Sequence, residues 1–463
     1  MSVRANSPHA KDVAYHLHPF TNCVLHEQTG PHIIAGGDGI YVIDDDGNRY
    51  IEGLAGLWCA SLGFSEPRLV DAATRQLSAL PYYHGFAHKT TPPVIELAER
   101  LIEMAPAPMS KVFFTNSGSE ANDAQIKMVW YYNNALGRPE KKKIISRYHA
   151  YHGVTVAAAS LTHMPYVQAS LDLPINNFIA TDCPHYWRFG EDGESEEAFA
   201  TRMADSLEKL ILDEGPETVA AFIAEPVQGA GGVIVPPATY FDKVQAVLRR
   251  HDVLFIVDEV ICGFGRTGNM FGSQTYDLKP DMITIAKALS AAYLPIGAAM
   301  ISEEIYQAIR EESHKRGNFG TGYTYSGHPA PAAVALETLK IYQERDIVGH
   351  VQRVARRFQQ RLGALGGHPL VGEARGVGLI GAVQLVRDKT TKEFYHPSLK
   401  AAPTVMARAS EHRLLVRALM NDVVAMCPPL IITEAEIDTL FDRLEEALDD
   451  TRDILAKAGD AAA

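Results

Sequence analysis

A lysine that follows a buried strand is the first residue whose position suggests chemistry. In "DMITIAKALSAAYLPIG", Lys287 comes directly after the apolar run 282–286, which predicts a strand inside the protein. Lysines at strand ends often extend their ammonium group to water, so Lys287 alone is more typical of a structural residue. It indicates catalysis only if suitable partners are close to it.

The first candidate partner is a carboxylate. In "VLFIVDEV", side chains alternate between the two faces of the strand, so Asp258 and Val260 share one face and Glu259 lies on the other. Asp258 is at the carboxyl end of a predicted central strand, where α/β sheets bind ligands. A buried carboxylate needs a cationic partner, so a plain ion pair between Asp258 and Lys287 is one interpretation.

The second candidate partner is a turn that can hold an anion. In "KVFFTNSGSEANDAQIKMVWYY", a strand ends in the turn 116–119 and a helix follows, with Glu120 in its first turn. Free N–H groups at a helix start, serine hydroxyls and a glycine that permits close approach suit a phosphate. Simple N-capping of the helix by a serine or asparagine explains the same residues.

One cofactor accounts for all three elements. A phosphate site, a carboxylate facing a heterocyclic nitrogen and a lysine that can react with an aldehyde are the requirements of pyridoxal phosphate. The motif "GFGRTG" (263–268) also matches a dinucleotide fingerprint, but no helical apolar stripe follows it. We therefore favour a glycine-rich packing loop there over a nicotinamide site.

The whole chain limits the classes of function. It has 463 residues, a net charge of −13 and 46% hydrophobic residues, which favour a globular protein with small-molecule ligands over nucleic-acid or membrane binding. The five cysteines are scattered and form no C-x-x-C motif, so we expect neither disulfides nor a metal site. Without a recognisable signal peptide or membrane span, a cytoplasmic location is expected.

The elements that position these residues follow an α/β rhythm. Apolar runs alternate with helical patterns from about residue 66 to 335, which predicts a large α/β domain with a mostly parallel sheet flanked by helices. Residues 1–65 are predicted to form an N-terminal arm and part of a small domain, and 336–463 the rest of that α+β domain. The first thirty residues are aperiodic, and we expect the first dozen to be disordered.

Several ordered motifs resemble one known family. They are "TNSGSEAND", "YHAYHGVT", "AEPVQGAGG", "VDEVICGFGRTG", "ITIAKALS", "YTYSGHP" and "LLVRALMNDVVAMCPPL". In this order they resemble the class III (omega) aminotransferases among the fold-type I pyridoxal-phosphate enzymes, and most of all the amine:pyruvate omega-transaminases. The resemblance implies pyridoxal 5'-phosphate as cofactor.

The resemblance also implies roles for single residues. Lys287 would bind the cofactor's aldehyde and later move the substrate's α-proton, and Asp258 would pair with the ring nitrogen. Thr324 would reach the phosphate of a neighbouring subunit's cofactor, which implies a homodimer with shared active sites, possibly assembled into a tetramer. The other implied cofactor contacts are Ser117, Gly118 and Ser119 at the phosphate, Tyr151 and Val260 on the ring faces, Glu225 near the phenolic oxygen and, more loosely, Gln228.

Substrate residues are implied in the same way. Leu57 and Trp58 in "GLWC", with Phe86, resemble the aromatic wall of the amine:pyruvate enzymes. Arg417 resembles a mobile arginine that binds the keto acid's carboxylate, although a pair with Asp422 is an alternative. Ile261 replaces a glutamine of the ornithine, γ-aminobutyrate and acetylornithine branches, which counts against those donors.

We therefore predict an aminotransferase that moves an amino group from a primary amine or ω-amino acid to pyruvate by a ping-pong mechanism. The alternatives are an aminomutase or racemase of the same fold, or an aminotransferase specific for taurine, putrescine or β-alanine. A dehydrogenase that uses "GFGRTG" and a non-catalytic dimer are the remaining alternatives from other classes.

Overall fold

The computed structural model describes residues 6–460. In this range the strands are β1 (Ile34–Asp38), β2 (Tyr41–Asp44), β3 (Arg49–Glu52), β4 (Lys111–Thr115), β5 (Lys143–Arg147), β6 (Phe178–Thr181), β7 (Val219–Ala224), β8 (Leu254–Asp258), β9 (Met282–Ile285), β10 (Gly297–Ile301), β11 (Val371–Val377), β12 (Ile380–Leu385), β13 (Leu414–Leu415), β14 (Arg417–Leu419) and β15 (Val423–Met426).

The helices of the same range are α1 (Pro8–Tyr15), α2 (Cys23–Thr29), α3 (Ala55–Trp58), α4 (Pro67–Ala79), α5 (Pro92–Met104), α6 (Gly118–Ala135), α7 (Val156–Leu161), α8 (Pro165–Gln168), α9 (Tyr186–Phe189), α10 (Glu196–Glu214), α11 (Tyr240–Arg250), α12 (Gly272–Thr275), α13 (Glu303–Arg316), α14 (Pro329–Glu344), α15 (Ile347–Ala364), α16 (Ala401–Glu411) and α17 (Glu434–Asp460). Three short 3₁₀ helices span Lys287–Ser290, Leu365–Gly367 and Pro397–Leu399. None of the described helices combines the length and the apolar character that a membrane crossing requires.

A seven-stranded sheet forms the centre of the fold, in the order β4-β10-β9-β8-β7-β5-β6. Adjacent strands in the series β9-β8-β7-β5-β6 are parallel, whereas β10 is antiparallel to both β4 and β9. The predicted α/β fold with a mostly parallel sheet is confirmed. The sequence did not show that β10 reverses direction, because an apolar run carries no sign of its direction.

Both faces of the central sheet are covered, which explains why its strands read as continuous apolar runs. Phe222 and Phe255 pack on one face with α10 and α11, while the next residues, Ile223 and Ile256, pack on the other face with α6. All residues of β7 and β9 are buried. Such double burial is typical of strands joined by crossover helices.

The two ends of the chain meet in a second sheet. It has the order β1-β2-β3-β13, and Leu414 of β13 pairs in parallel with Ile51 of β3. A third sheet, β11-β12-β15-β14, completes the C-terminal part. The segment "GVGLIGAVQLV" contains the turn of the β11–β12 hairpin. Gly378 makes this turn with a φ of +58°, and a Cβ atom there would lie 2.3 Å from the Arg266 carbonyl oxygen. The domain boundaries near residues 65 and 335 stay a prediction.

The N-terminal segment is more ordered than the sequence suggested. Residues 1–5 lie outside the described part, but α1 and α2 follow, so the prediction of disorder up to residue 12 is wrong from Pro8 onward. Ser7 and Asn22 cap these helices by accepting N–H groups of Ala10 and Leu25. Neither helix buries a residue, so no apolar stripe marked them in the sequence.

Candidate active site

The predicted cofactor residues meet at one edge of the central sheet. The carboxyl ends of β4, β5, β7, β8 and β9 lie at this edge, and the loops that follow them enclose a cavity of about 410 Å³. This is where ligands bind in parallel sheets. The predicted residues that line the cavity are Ser117, Gly118, Ser119, Tyr151, Glu225, Asp258, Val260 and Lys287.

Lys287 lies in this cavity without a partner. Its side chain is partly buried and makes no hydrogen bond or ion pair with any residue between 6 and 460. Desolvation by burial lowers its pKa, although Cys59 and Asp258 oppose the shift. The plain ion pair between Lys287 and Asp258 is therefore absent from the described chain, and the lysine is placed to be a neutral nucleophile.

Asp258 is instead held by hydrogen-bond donors. Its Oδ2 atom accepts hydrogen bonds from Asn122 Nδ2 at 2.9 Å and from the His152 ring at 2.8 Å, and its Oδ1 atom accepts the Val260 N–H at 3.1 Å. Because a carboxylate only accepts, Nδ1 of His152 must carry the proton. These bonds fix the orientation of the carboxylate.

Two of these donors were not identified from the sequence. Asn122 is on α6 and also donates to the His152 carbonyl oxygen at 2.7 Å, while its own oxygen accepts the Thr284 hydroxyl at 2.6 Å. His152 is fully buried, and its Nε2 atom has no partner among residues 6–460. The only sequence signal was their position inside "TNSGSEAND" and "YHAYHGVT".

The turn before α6 has the properties of a phosphate site. Ser117 is the N-cap, and its hydroxyl accepts the Glu120 N–H at 3.1 Å, which confirms the capping interpretation for this one residue. The N–H groups of Gly118 and Ser119 have no acceptor among residues 6–460. Ser117, Gly118 and Ser119 all line the cavity, so two free N–H groups at a helix start are available for an anion.

Close packing explains the glycine in this turn. A Cβ atom at Gly118 would lie 2.9 Å from Cγ2 of Val260, and one at Gly153 would lie 2.5 Å from the Ser119 hydroxyl oxygen. Gly153 also has a φ of +129°, which other residues rarely adopt. A side chain at either position would therefore displace the residues that line the cavity.

Glu225 and Tyr151 form another side of the cavity. Glu225 is buried and accepts the Tyr151 N–H at 3.1 Å and the Gly229 N–H at 2.9 Å. Burial raises the pKa of Glu225 and also that of the Tyr151 hydroxyl. The predicted neighbour Gln228 is buried and donates to the Tyr148 carbonyl oxygen at 3.0 Å, and it does not line the cavity.

Trp58 is buried and does not form the rim of the pocket. It is 3% exposed and belongs to the same packed cluster as Ile261, which lines the cavity, whereas Leu57 is 51% exposed. The backbone causes this arrangement, because Ala55, Gly56 and Trp58 all have positive φ angles. Cys59 lies close enough to Lys287 to affect its pKa, so the segment 57–59 borders the cavity although Trp58 does not line it.

Phe86 and Thr324 lie on the face of the chain that carries a second cavity. Phe86 lines a second cavity of about 930 Å³ together with Gly322, and the hydroxyl of Tyr82 donates to the Thr324 carbonyl oxygen at 2.6 Å. Neither residue lines the cavity of Lys287. Aromatic side chains on this face are exposed: Tyr83, Phe86 and Tyr325.

Arg417 has a free guanidinium group in the described chain. It forms no ion pair or hydrogen bond within residues 6–460, and Asp422, the alternative partner, accepts the Ala402 N–H at 3.1 Å. Burial raises the pKa values of Tyr151 and Tyr166, and the positive charge of Arg417 is near enough to oppose part of this rise. It is therefore next to the cavity, although it is not part of its lining.

The motif "GFGRTG" serves packing, as expected. Arg266 is buried and donates to the carbonyl oxygens of Leu379 at 2.9 Å and Pro428 at 2.6 Å. The next helix, α12, has four residues, and its first N–H groups, those of Gly272 and Ser273, already donate to the buried Glu259 carboxylate. A dinucleotide site is not formed here.

Comparison with known proteins decides the family. The Aminotransferase class-III profile matches residues 25–448. The chain is also 54% identical to a protein named probable gamma-aminobutyrate transaminase 2, mitochondrial, of Oryza sativa, over 442 residues that cover 95% of this chain and 89% of that protein. The chain belongs to the class III aminotransferases.

Solved structures of this family agree with the fold. The omega transaminase from Pseudomonas jessenii in complex with PMP matches with a TM-score of 0.96 and 54% identity, covering 97% of this chain and 99% of that one. A thermostable omega transaminase variant, engineered for asymmetric synthesis of enantiopure bulky amines by replacing a tryptophan, a phenylalanine and an arginine, matches with a TM-score of 0.95, 54% identity and coverages of 96% and 99%.

This class III aminotransferase uses pyridoxal 5'-phosphate, and its cavity has the groups to hold it. The free N–H groups and hydroxyls of residues 117–119 suit the phosphate, the Asp258 carboxylate suits a protonated ring nitrogen, and Lys287 suits the aldehyde. When bound, the cofactor supplies an aldehyde that exchanges with amines and a ring that withdraws electrons from the substrate's α-carbon.

The protein groups supply proton transfer and orientation. Burial lowers the pKa of Lys287, so its Nζ atom is suited to take a proton from the substrate's α-carbon and to deliver it to another atom. Asp258, held by Asn122 and His152, would face the ring nitrogen and favour a proton there. The apolar wall that includes Ile261 lowers the polarity around these groups, which strengthens their electrostatic interactions.

Proposed function

We propose that this aminotransferase moves an amino group from a primary amine or ω-amino acid to pyruvate by a ping-pong mechanism. The observation that carries the proposal is the unpaired guanidinium of Arg417 beside a cavity whose wall includes Ile261, Leu294 and Ile296. An apolar wall accepts an uncharged substituent, and a free guanidinium binds a carboxylate. One site thus suits both half-substrates.

The likeness to the engineered omega transaminase supports the same reading of the pocket. The tryptophan, phenylalanine and arginine replaced in that variant are the residue types of Trp58, Phe86 and Arg417. Changes of these types were made there for bulky amines. We assign the corresponding roles in this chain to the three residues, with Leu57 as the exposed neighbour of Trp58.

The active form we propose is a homodimer. Phe86 and Thr324 lie on a face with exposed aromatic side chains, and neither residue lines its own chain's Lys287 cavity. A two-fold interface through this face brings both residues to the cavity of a second copy.

The five cysteines are free, which supports the proposed cytoplasmic location.

γ-Aminobutyrate is the first donor to test. The rice relative, which is 54% identical to this chain, is named after that substrate. Ile261 counts against this branch, because it stands where that branch has a glutamine. The distal carboxylate of γ-aminobutyrate suits Arg417, and its methylene groups suit Ile261. A single apolar residue does not outweigh a free cationic partner for the carboxylate.

A spectral half-reaction tests the function. Donors are added to the holoenzyme without acceptor: γ-aminobutyrate, β-alanine, putrescine, taurine and an aryl amine. Conversion of the cofactor's absorbance band to that of its aminated form, followed by recovery with pyruvate, is expected for at least one donor. Recovery with 2-oxoglutarate but not with pyruvate would overturn the acceptor, and a band that never converts would favour an aminomutase or racemase.

Replacing the lysine is the first prediction. Lys287→Ala removes the only lysine that lines the cavity and is expected to lower turnover by at least about 10²–10⁴-fold, the usual share of a proton-transfer group. Lys279→Ala, a change at an exposed lysine just before β9, is the control and should leave turnover unchanged. Normal turnover by Lys287→Ala would contradict the mechanism.

A further inference from the structure

Three histidines surround one aspartate in the N-terminal arm, and none of these four residues lines the cavity of Lys287. His18 Nε2 is 2.8 Å and His26 Nε2 is 3.0 Å from Oδ2 of Asp12, and His16 Nδ1 is 3.2 Å from its Oδ1. The imidazole rings are adjacent, with 4.0 Å between the centroids of His16 and His18 and 4.3 Å between those of His18 and His26. The donor set is three nitrogens and a carboxylate.

The spacing of these donors is close to that of a metal's ligands. Asp12, His16 and His18 each offer a ligand atom, and these atoms all lie within 4.8 Å of one another. His26 is outside this group of three and reaches the cluster through Asp12, whose Oδ2 atom is 3.0 Å from its Nε2 atom. Around a tetrahedral zinc ion, ligands at about 2.0–2.1 Å are about 3.4 Å apart. The separations of 2.8–3.2 Å from the histidines to Asp12 need to widen by only a few tenths of an ångström.

The chemistry of the set selects the kind of metal. Imidazole nitrogens suit zinc, copper, nickel and cobalt, whereas magnesium and calcium prefer sites made of oxygen atoms alone. Asp12 and His16 are four residues apart, at the end of α1, so they share one face. The side chain of His26 is 12% exposed and that of His16 is 59% exposed, which leaves an open side for metal entry.

The described helices of the arm have little apolar packing of their own. Neither α1 nor α2 buries a residue, and helices of 8 and 7 residues are marginal on their own. Asp12 is in α1, His26 is in α2, and His16 and His18 are in the link between them. The cluster therefore joins the two helices.

We propose that Asp12, His16, His18 and His26 form a binding site for one divalent transition metal ion, with zinc the best match, that joins α1 to α2. The metal takes the place of a hydrophobic core between the two helices. The site has a structural role and does not depend on which amine the enzyme uses.

The test is a zinc titration of the tag-free holoenzyme after dialysis against a chelator. Calorimetry and elemental analysis are expected to show one zinc ion per chain for the unchanged protein. His18→Gln and His26→Gln are each expected to weaken binding at least about tenfold, whereas His9→Gln, a change on the same helix outside the cluster, leaves it unchanged. Absence of stoichiometric zinc, or equal affinity in His18→Gln and unchanged protein, would overturn the site.

Hydrogen exchange distinguishes a structural site from adventitious binding. Zinc is expected to slow amide exchange across residues 8–29 in the unchanged protein and not in His18→Gln. Cys23, an exposed thiol in α2, is the competing ligand. If Cys23→Ser abolishes binding and His18→Gln does not, the thiol holds the metal and the proposal is wrong.

Discussion

Asp258 illustrates how much of the reaction depends on residues that never touch the substrate. Its carboxylate accepts from Asn122, His152 and Val260, so its direction is fixed before any cofactor binds. The sequence predicted Asp258 and Lys287, since both follow apolar strands. His152 is 106 residues away from Asp258 in the chain, and no local pattern indicates such a contact.

His152 is therefore a positioning residue, and its replacement gives the second prediction. His152→Ala removes a hydrogen bond to a charged group, worth about 1.5–3 kcal/mol, so a fall in kcat of about 10–100-fold is expected. The pH at which the cofactor band changes should shift as well, because Asp258 then holds the ring proton less firmly. The measurement is kcat and absorbance between pH 6 and pH 9.

The control for this variant is His163→Ala. His163 is a neighbouring, partly buried histidine whose desolvation lowers its pKa to about 4, and it does not bond to Asp258. It should lose stability without a shift of the cofactor band. An equal spectral shift in both variants would show that general loosening, and not the bond to Asp258, explains the effect.

A buried carboxylate outside the cavity gives the third prediction, a pH dependence. Burial raises the pKa of Glu52 to about 7, and its Oε1 accepts the Leu54 N–H at 2.9 Å. Between pH 4.5 and 7 the unfolded chain releases this proton and the folded chain keeps it, so stability falls as pH rises. Glu52→Gln lacks this loss and should be more stable above pH 7, by up to about 3 kcal/mol.

Unfolding midpoints at pH 5 and pH 8 check this prediction. The advantage of Glu52→Gln over the unchanged protein is expected to be larger at pH 8 than at pH 5. A difference that stays constant with pH would mean that Glu52 is ionised in the folded protein throughout.

At the scale of elements, the sequence predicted best where a strand is buried on both faces. Apolar runs marked β4, β5, β7, β8, β9 and β10, and the loops after five of them hold the cavity. The sequence did not predict the helices that depend on caps and polar contacts, such as α1 and α2, because these helices have no hydrophobic periodicity.

The start of α6 provides the fourth prediction. Gly118→Ala places a methyl group 2.9 Å from Val260, so the phosphate turn and the ring wall have to separate. Weaker cofactor retention is expected, by at least about tenfold, because one displaced contact of about 1.4 kcal/mol has that effect on affinity. Equilibrium dialysis of the cofactor against apoenzyme measures it.

Gly363→Ala is the matched control. Gly363 is inside α15, and a Cβ atom there would meet nothing within 4 Å. This change should leave cofactor affinity unchanged and raise stability by about 0.5–1 kcal/mol, since alanine favours a helix more than glycine does. Equal retention of the cofactor by both variants would show that the turn tolerates a side chain.

At the scale of the whole molecule, one chain does not contain every predicted residue at its cavity. Phe86 and Thr324 are on the face lined by Tyr83 and Tyr325, and no pattern in the sequence reveals which copy they serve. The resemblance to known aminotransferases supplied that expectation for Thr324. A physical test has to use two different subunits in one dimer.

Mixed dimers give the fifth prediction. Lys287→Ala and Thr324→Ala subunits are each expected to be impaired alone, but a dimer of one of each rebuilds one complete site if Thr324 acts on the second copy. Random mixing should restore about a quarter of the unchanged protein's sites, because half of the dimers are mixed and each has one good site. No gain on mixing would show that Thr324 acts within its own chain.

The conformation and the burial of Lys287 lower the stability of the protein, whereas the lysine itself is needed for activity. Its φ of +47° is in the left-handed region, which costs a residue other than glycine about 1–2 kcal/mol, and its ammonium group is placed where desolvation disfavours charge. Glycine at position 287 relieves both penalties. Selection for heat resistance alone, applied to a library at this position, would therefore enrich inactive proteins, and the lysine persists only where turnover is selected as well.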